Sequence, residues 1–413
     1  MVKVVHVSDC FLPRLGGIET QVAELTRMQA AAGHDVEIIT ATPDRDGRSA
    51  AMPVPVHRVV APLPWELPVH PRMGHHLARL YRELRPDVVH LHVGAVSPFA
   101  WAGVRQAAHA GIPTVLTVHS MWDPATATLY RLLDAAADWT RWRGVCTAVS
   151  EAAAEPIRRV VEGRVPVHVV ANGITSGQWR LPQPGAAVPV EGGGPVGGNR
   201  RVDESAPERP VHVVAVGRLA PRKQPLTLVR ILRAAQAVLA VRSVAALGEG
   251  RENGVRRPRL RATIVGDGPA LPWLRWYLRR HRLDSWVTLT GRLDSEGVRT
   301  VLEDADLFLA PARRESFGLA ALEARMAGVP VVAYADSGVS SFVVPEKEGL
   351  LGHSPADLAA AVARLASDTA LRATLAAHNQ ASVPVHCTWP VVLADFDERY
   401  AQAMTRALVA PVR

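Results

Sequence analysis

The sequence predicts an α/β protein built from two doubly wound parallel-sheet domains. Three observations carry this reading. Short apolar strands alternate with helical stretches along most of the 413 residues. The strands are apolar throughout rather than on alternate residues, the pattern of sheets covered on both faces. A Gly/Pro-rich break over residues 181–210, with Gly192-Gly193-Gly194 and no apolar period, divides the alternation into two series. The predicted organisation is a first domain over 1–180, a flexible linker over 181–210, a second domain over 211–385 and a last helix within 386–413.

The first series opens with a strand at Val2–Ser8. A loop ending in Gly16-Gly17 follows, then a helix from Ile18 stopped by Gly33, then a strand at Val36–Thr40. Paired glycines at a strand-to-helix turn let a ligand approach the backbone, and the helix N-terminus favours an anion. A plain tight turn fits the same residues. The loop is too long for a dinucleotide fingerprint, and Gly-x-Gly-x-x-Gly is absent. Strands are expected at Asp87–His92, Pro113–His119, Val145–Ser150 and Val167–Ala171. His92, His119, Ser150 and Asn172 fall at strand ends, where ligands gather in such sheets. Val54–Arg85 is less regular, with Pro62, Pro64, Trp65 and Pro68 before a basic run to Arg85. It fits a mobile acceptor-side or membrane-surface loop, or an ordinary exposed helix at the sheet edge.

The second series has strands at Val211–Val216, Ala262–Val265, Trp286–Leu289, Ala305–Ala310 and Val329–Ala333, with a polar insertion at Gly248–Arg261. Gly217-Arg218 to Arg222-Lys223 follows the first of these directly. Arg forks across two phosphate oxygens and Lys adds a mobile charge, so a diphosphate is the natural ligand; a solvated basic turn is the plainer alternative. Gly266-Asp267-Gly268-Pro269 permits a close turn, and Gly291-Arg292 could flank a flat base. Pro311–Glu323 leads from an apolar strand into a helix. Glu315 sits in the turn and Glu323 about two turns inside the helix. Eight residues correspond to roughly 12 Å along a helix axis, too far for a dyad but suited to gripping two parts of one elongated ligand. Between them Ser316, Phe317, Gly318 and Leu319 offer backbone amides to an anionic oxygen. A Glu at a helix start also simply complements the dipole.

Composition bounds the function. The formal net charge is +8, which suits a phosphorylated substrate, an anionic membrane face or nucleic acid. No nucleic-acid module accompanies it. Cys10, Cys146 and Cys387 are odd in number and far apart, as expected in a reducing compartment and not for a disulfide framework or zinc site. No secretory leader precedes Val2, and no apolar run approaches the ~20 residues of a membrane span. A cytoplasmic protein is expected, with peripheral contact at the inner membrane face compatible.

Taken in order, these motifs resemble retaining glycosyltransferases of family 4, which have the GT-B fold of two Rossmann-like domains facing a cleft. The matching residues are Gly16-Gly17, Ala148-Val149-Ser150-Glu151, Asn172-Gly173-Ile174, Gly217-Arg218 to Lys223, Val265 to Pro269, and Glu315-x7-Glu323 ending in Ala327-Gly328-Val329-Pro330. The resemblance implies a nucleoside-diphosphate sugar as donor, with Arg218 and Lys223 on the diphosphate and the Gly16-Gly17 backbone against it. It implies Glu323 on the ribose hydroxyls and Glu315 on the donor sugar. The amides of Phe317, Gly318 and Leu319 would assist, Gly266, Asp267 and Arg292 would complete nucleotide binding, and His119 would face the sugar and acceptor. The last helix would cross back onto the first domain.

Charge grows on the departing diphosphate, and fixed cations with a helix N-terminus stabilise it. No metal or other cofactor is then required, and no Asp-x-Asp pair stands at a strand end to hold one. Two positions depart from the family pattern. Thr175 stands where Asp is usual, and Ser337-Gly338-Val339-Ser340-Ser341 lacks the usual Glu. GDP-mannose is the favoured donor, because the basic first domain resembles actinobacterial mannosyltransferases. UDP-glucose and UDP-N-acetylglucosamine stay open, as do an epimerase and a non-catalytic sugar-nucleotide or glycan-binding protein.

Overall fold

The computed structural model describes residues 1–14, 16–44, 52–61, 70–181, 209–248 and 259–408. Leu15, the expected irregular stretch at 62–69, nearly all of the expected linker and most of the polar insertion after Gly248 lie outside them. The chain forms two compact units. One comprises Met1–Thr175, Arg314–Leu319 and Pro384–Arg413; the other comprises Ser176–Arg313 and Ala320–Val383.

The first unit runs β1 (Lys3–Ser8), α1 (Gly17–Ala31), β2 (Asp35–Thr40), β3 (Val56–Arg58), α2 (Met73–Leu84) and β4 (Val88–Val93). It continues through α3 (Pro98–His109), β5 (Thr114–Val118), α4 (Pro124–Ala137), β6 (Val145–Ala148), α5 (Glu151–Val161) and β7 (Val167–Val169). The seven strands are all parallel, in the order β3-β2-β1-β4-β5-β6-β7. Parallel strands need covering on both faces, and β4, β5 and β6 are buried at every residue.

The second unit begins with α6 (Ser176–Trp179). It continues through β8 (Val211–Val216), α7 (Pro225–Gly248), β9 (Leu260–Val265), α8 (Leu271–Arg280), β10 (Val287–Gly291) and α9 (Ser295–Glu303). Then come β11 (Leu307–Ala310), α10 (Leu319–Met326), β12 (Val331–Tyr334), β13 (Gly349–Gly352), α11 (Pro355–Ser367) and α12 (Thr369–Ala381). Its six parallel strands are ordered β10-β9-β8-β11-β12-β13. One core joins the strand interiors to Leu228, Ile231 and Leu232 of α7 and Leu358 and Val362 of α11.

The last helix, α13 (Trp389–Leu408), packs on the first sheet. Trp389, Val392, Phe396, Tyr400 and Ala403 share a core with Val4, Val88, Val115 and Val145. Gly173 permits the docking, because a Cβ there would lie inside the Trp389 indole. The indole Nε1 donates to Thr175 Oγ1 at 3.2 Å, so the unusual Thr175 has a defined partner.

Several elements differ from the expected ones. β3 falls inside the stretch read as irregular, and β13 closes the second sheet where no strand was expected. Both are edge strands, of three and four residues, too short to show a period. α10 starts at Leu319, so Glu323 lies little more than one turn inside it. The basic run to Arg85 is the packed helix α2, with Leu77, Leu80 and Tyr81 buried.

Candidate active site

A doubly wound sheet has one place where the strand order reverses, and the loops leaving the two strands there diverge and open a crevice. In the second sheet this lies between β8 and β11. The loop after β8 is Gly217–Gln224, and the segment after β11 is Pro311–Gly318. The reversal therefore takes in the basic turn and Pro311–Arg313, while Arg314–Leu319 belong to the first unit. In the first sheet it lies between β1 and β4, whose following loops are 9–16 and 94–97.

The β8 loop is braced by its neighbour. Gly217 N donates to Val265 O at 3.0 Å, Leu219 N to Asp267 O at 2.9 Å, and Ala270 N to Leu219 O at 2.9 Å. Gly266 (φ 145°) and Gly268 (φ 156°) are needed because a Cβ on either would strike the backbone of Gly217 or Leu219. The glycines expected to admit a ligand thus first admit the neighbouring loop. Asp267 is exposed, and its Oδ1 accepts from Gly268 N at 2.6 Å. Arg218 is exposed at the start of the braced loop, and Lys223 is half-buried in the 3₁₀ turn Pro221–Lys223. Gln224, left-handed at φ 53°, redirects the chain into α7. Arg292 is exposed beyond Gly291, two strands from the reversal on the outer strand β10.

Helix α10 is seated by Ala321, Leu322, Ala324 and Met326, and by a buried pair between Arg325 Nη2 and Glu348 Oε1 at 3.1 Å. Glu323, in the same helix, is half-buried. Desolvation raises its carboxyl to about 7, with no opposing hydrogen bond. A carboxylate so placed is stabilised by hydroxyl donors from a ligand. Glu315 and Gly318 are half-buried and Phe317 is buried, with Gly318 at φ 94° turning the chain into α10. Because that turn breaks the helix, the spacing of Glu315 from Glu323 is not a helical one.

In the first unit Gly16 and Gly17 are both exposed at the start of α1, and Gly16 is its extended N-cap. Glu19 folds back beside Gly16 and pairs with Arg14 at 3.3 Å. His119 directly follows β5 and is 9% exposed. Burial pulls its pKa down to about 4, so the ring is neutral at pH 7.

Two features went unread in the sequence. Asp9 is buried, and its carboxylate accepts from Phe99 N and Ala100 N at 3.0 Å each, capping α3. Burial nonetheless raises it to about 7. His92, expected at a strand end, instead lies buried within β4 and clusters with His6 and His90; the alternation His90-Leu91-His92, which puts both rings on one face, was the available signal.

Two parallel sheets, each with its loops at a strand-order reversal and the second carrying the basic turn and Glu323, form the GT-B fold of glycosyltransferases. The comparisons agree. The family model for Glycosyltransferase Family 4 matches residues 15–177, and that for Glycosyl transferases group 1 matches residues 199–381. The chain is a glycosyltransferase that uses a nucleotide sugar, and the two models match it in turn along most of its length. It is 27% identical over 393 residues to a glycogen synthase of Mycobacterium tuberculosis, covering 86% of this chain and 84% of that one. It is also 27% identical over 405 residues to a GDP-mannose-dependent alpha-mannosyltransferase of the same species, covering 95% and 94%. Among solved structures, Anabaena HepE in complex with UDP-glucose superimposes with a TM-score of 0.72, at 18% identity, over 97% of this chain and all of HepE.

Proposed function

We propose that the protein transfers a hexosyl group from a nucleoside-diphosphate sugar to an acceptor hydroxyl, on a glycan or glycolipid, with retention of configuration and without a metal ion. The observation that supports this is the reversal between β8 and β11, where the Arg218–Lys223 turn and Pro311–Arg313 leave neighbouring strands. In this reading Arg218 and Lys223 take the charge that grows on the departing diphosphate, a role open to a metal in other enzymes. Glu323 accepts from the ribose hydroxyls, and Glu315 from the donor sugar. The backbone amides of Phe317, Gly318 and Leu319 assist, and Gly266, Asp267 and Arg292 border the nucleotide. In the first unit the Gly16-Gly17 backbone serves the phosphates, and the neutral His119 meets sugar and acceptor. The acceptor attacks on the face the diphosphate leaves, and the leaving phosphate takes its proton, so configuration is retained without a protein nucleophile.

GDP-mannose is our favoured donor, supported by the likeness to the mannosyltransferase along almost its whole length. A UDP-sugar is the second reading, favoured by the superposition on HepE bound to UDP-glucose. No helix among the described residues is long and apolar enough to cross a membrane. Any contact of α2 with an anionic inner membrane face would rest on charge, since its apolar residues Leu77, Leu80 and Tyr81 are buried in the protein.

Thermal-shift binding of GDP, UDP, ADP and their sugars, with and without EDTA, tests the donor reading, because a ligand of the native state raises Tm by mass action. A shift with GDP and GDP-mannose that EDTA leaves intact is expected. A shift with UDP-sugars alone would select the second reading. Loss of the shift in EDTA would overturn metal independence, and binding without release of nucleotide would turn the protein into a sugar-nucleotide binder.

A further inference from the structure

Behind His119 a string of buried polar groups crosses the first unit. His119 Nε2 lies 3.0 Å from His92 Nδ1, His92 Nε2 lies 2.9 Å from His6 Nδ1, and His6 Nε2 lies 2.7 Å from Gln29 Oε1. The other end of the Gln29 amide, Nε2, donates to Tyr400 OH at 2.7 Å. Tyr400 OH lies 2.8 Å from His90 Nδ1, and His90 Nε2 lies 2.6 Å from Thr117 Oγ1. Thr117 Oγ1 is in turn 2.7 Å from Thr147 Oγ1. None of these side chains is more than 9% exposed.

A neutral imidazole has one N–H and one lone pair, so each bond decides the next. The amide oxygen of Gln29 can only accept, so His6 donates from Nε2 and its Nδ1 is bare. That bare nitrogen accepts from His92 Nε2–H, which leaves His92 Nδ1 bare. His92 Nδ1 then accepts from His119 Nε2–H. The lone pair of His119 ends on Nδ1, the ring nitrogen the string does not use. The second branch agrees in polarity. The amide N–H of Gln29 donates to Tyr400, whose own hydrogen goes to His90 Nδ1. His90 Nε2–H goes to Thr117, and Thr117 donates to Thr147.

We propose that Gln29 sets the tautomers of His6, His92 and His119 in series, so that His119 offers an unprotonated Nδ1 to a sugar or acceptor hydroxyl. Gln29, His6 and His92 are then positioning residues of the transferase site. The proposal rests on the reading above only for what His119 meets. Reversing one ring alone would set two N–H groups, or two lone pairs, head to head in a dry interior. Burial lowers the pKa of His6 and His119 to about 4 and those of His90 and His92 well below the usual value, so all four rings stay neutral. Ring nitrogens of His6, His90 and His92 lie within 4.8 Å of one another, as metal ligands would. All six of their ring nitrogens are taken by the bonds above, so an ion would have to break the string.

Long-range 1H–15N correlation on [15N]histidine-labelled protein reads each tautomer without donor or acceptor, with single-histidine variants for assignment. The wild-type protein is expected to show His6, His92 and His119 as Nε2–H between pH 6 and 8. Gln29→Leu should turn His119 into a mixture of tautomers. Gln29→Glu, which keeps an acceptor on His6, should restore Nε2–H. An Nδ1–H or imidazolium His119 in the wild type, an unchanged His119 in Gln29→Leu, or stoichiometric zinc lost in His6→Asn would each overturn the tautomer series. In turnover, Gln29→Leu should lower kcat with KM for the nucleotide sugar unchanged. Normal kcat beside a changed tautomer would overturn the positioning role. Absence of nucleotide binding in the wild type would instead fall on the proposed function and leave the tautomer result standing.

Discussion

At the scale of the residue, Glu323 decides the most. Its free carboxyl titrates near 7, whereas hydrogen bonds from ribose hydroxyls would favour the ionised form and lower that value. Affinity for GDP-mannose, whose diphosphate does not titrate near neutrality, should therefore hold above pH 7 and fall below it, by up to roughly tenfold per pH unit. Isothermal titration from pH 5.5 to 8.5 reads this, and the slope should vanish in Glu323→Gln. The same burial has a stability signature. A carboxyl raised from 4.5 to about 7 penalises the folded state as pH rises through that interval, and fully above it. Glu323→Gln should accordingly raise Tm more at pH 8 than at pH 5 while transfer is lost. Lys223→Ala should cut kcat/KM by about 10²-fold or more, as loss of transition-state charge stabilisation does. Glu346 forms an exposed pair with Arg364 at 2.6 Å, and such pairs contribute about 0–1 kcal/mol, so Glu346→Ala should leave rate and Tm almost unchanged. Arg218, Lys223, Glu315 and Glu323 drew attention in the sequence by residue type and by their place after apolar strands, beside plainer readings of each as a solvated or dipole-complementing charge. Asp9 and Gln29 were not legible, because what makes each distinctive is a partner 90 or more residues away, or, for Gln29, on the last helix.

At the scale of the element, the β8 and β9 loops act as one. Gly266→Ala would add a Cβ at φ 145° against the Gly217 carbonyl, so it should cost at least about 2 kcal/mol in urea unfolding and weaken nucleotide binding together. Equal loss of affinity with unchanged stability would instead place the glycine against the ligand, as the sequence had suggested. Helix α13 offers the second test. Trp389 is 4% exposed and sits against Gly173, so Trp389→Ala should cost about 3–5 kcal/mol. The long apolar strands were readable because they need no partner to be recognised. β3 and β13 were not, since three or four residues at a sheet edge take their identity from the strand they join. Gly349 illustrates this: it pairs with Val331, where a Cβ would meet the Val331 carbonyl.

At the scale of the whole molecule, the two parallel sheets share one design, and each gathers its loops where strand order reverses. Strand order is a property of pairing, and no local pattern encodes it. The sequence by itself determined the fold class, the two βα series and the run of charged and glycine residues that resembles family 4 transferases, because hydrophobic period and turn chemistry are local. Only the tertiary structure decided that the glycines after β9 serve the neighbouring loop, that Glu323 is desolvated, and that three histidines on β1 and β4 and one just after β5 share one hydrogen-bonded string with Gln29 and Tyr400. Each of those depends on which distant groups exclude water from a side chain or complete its hydrogen bonds, and those distances exist only once the chain has folded.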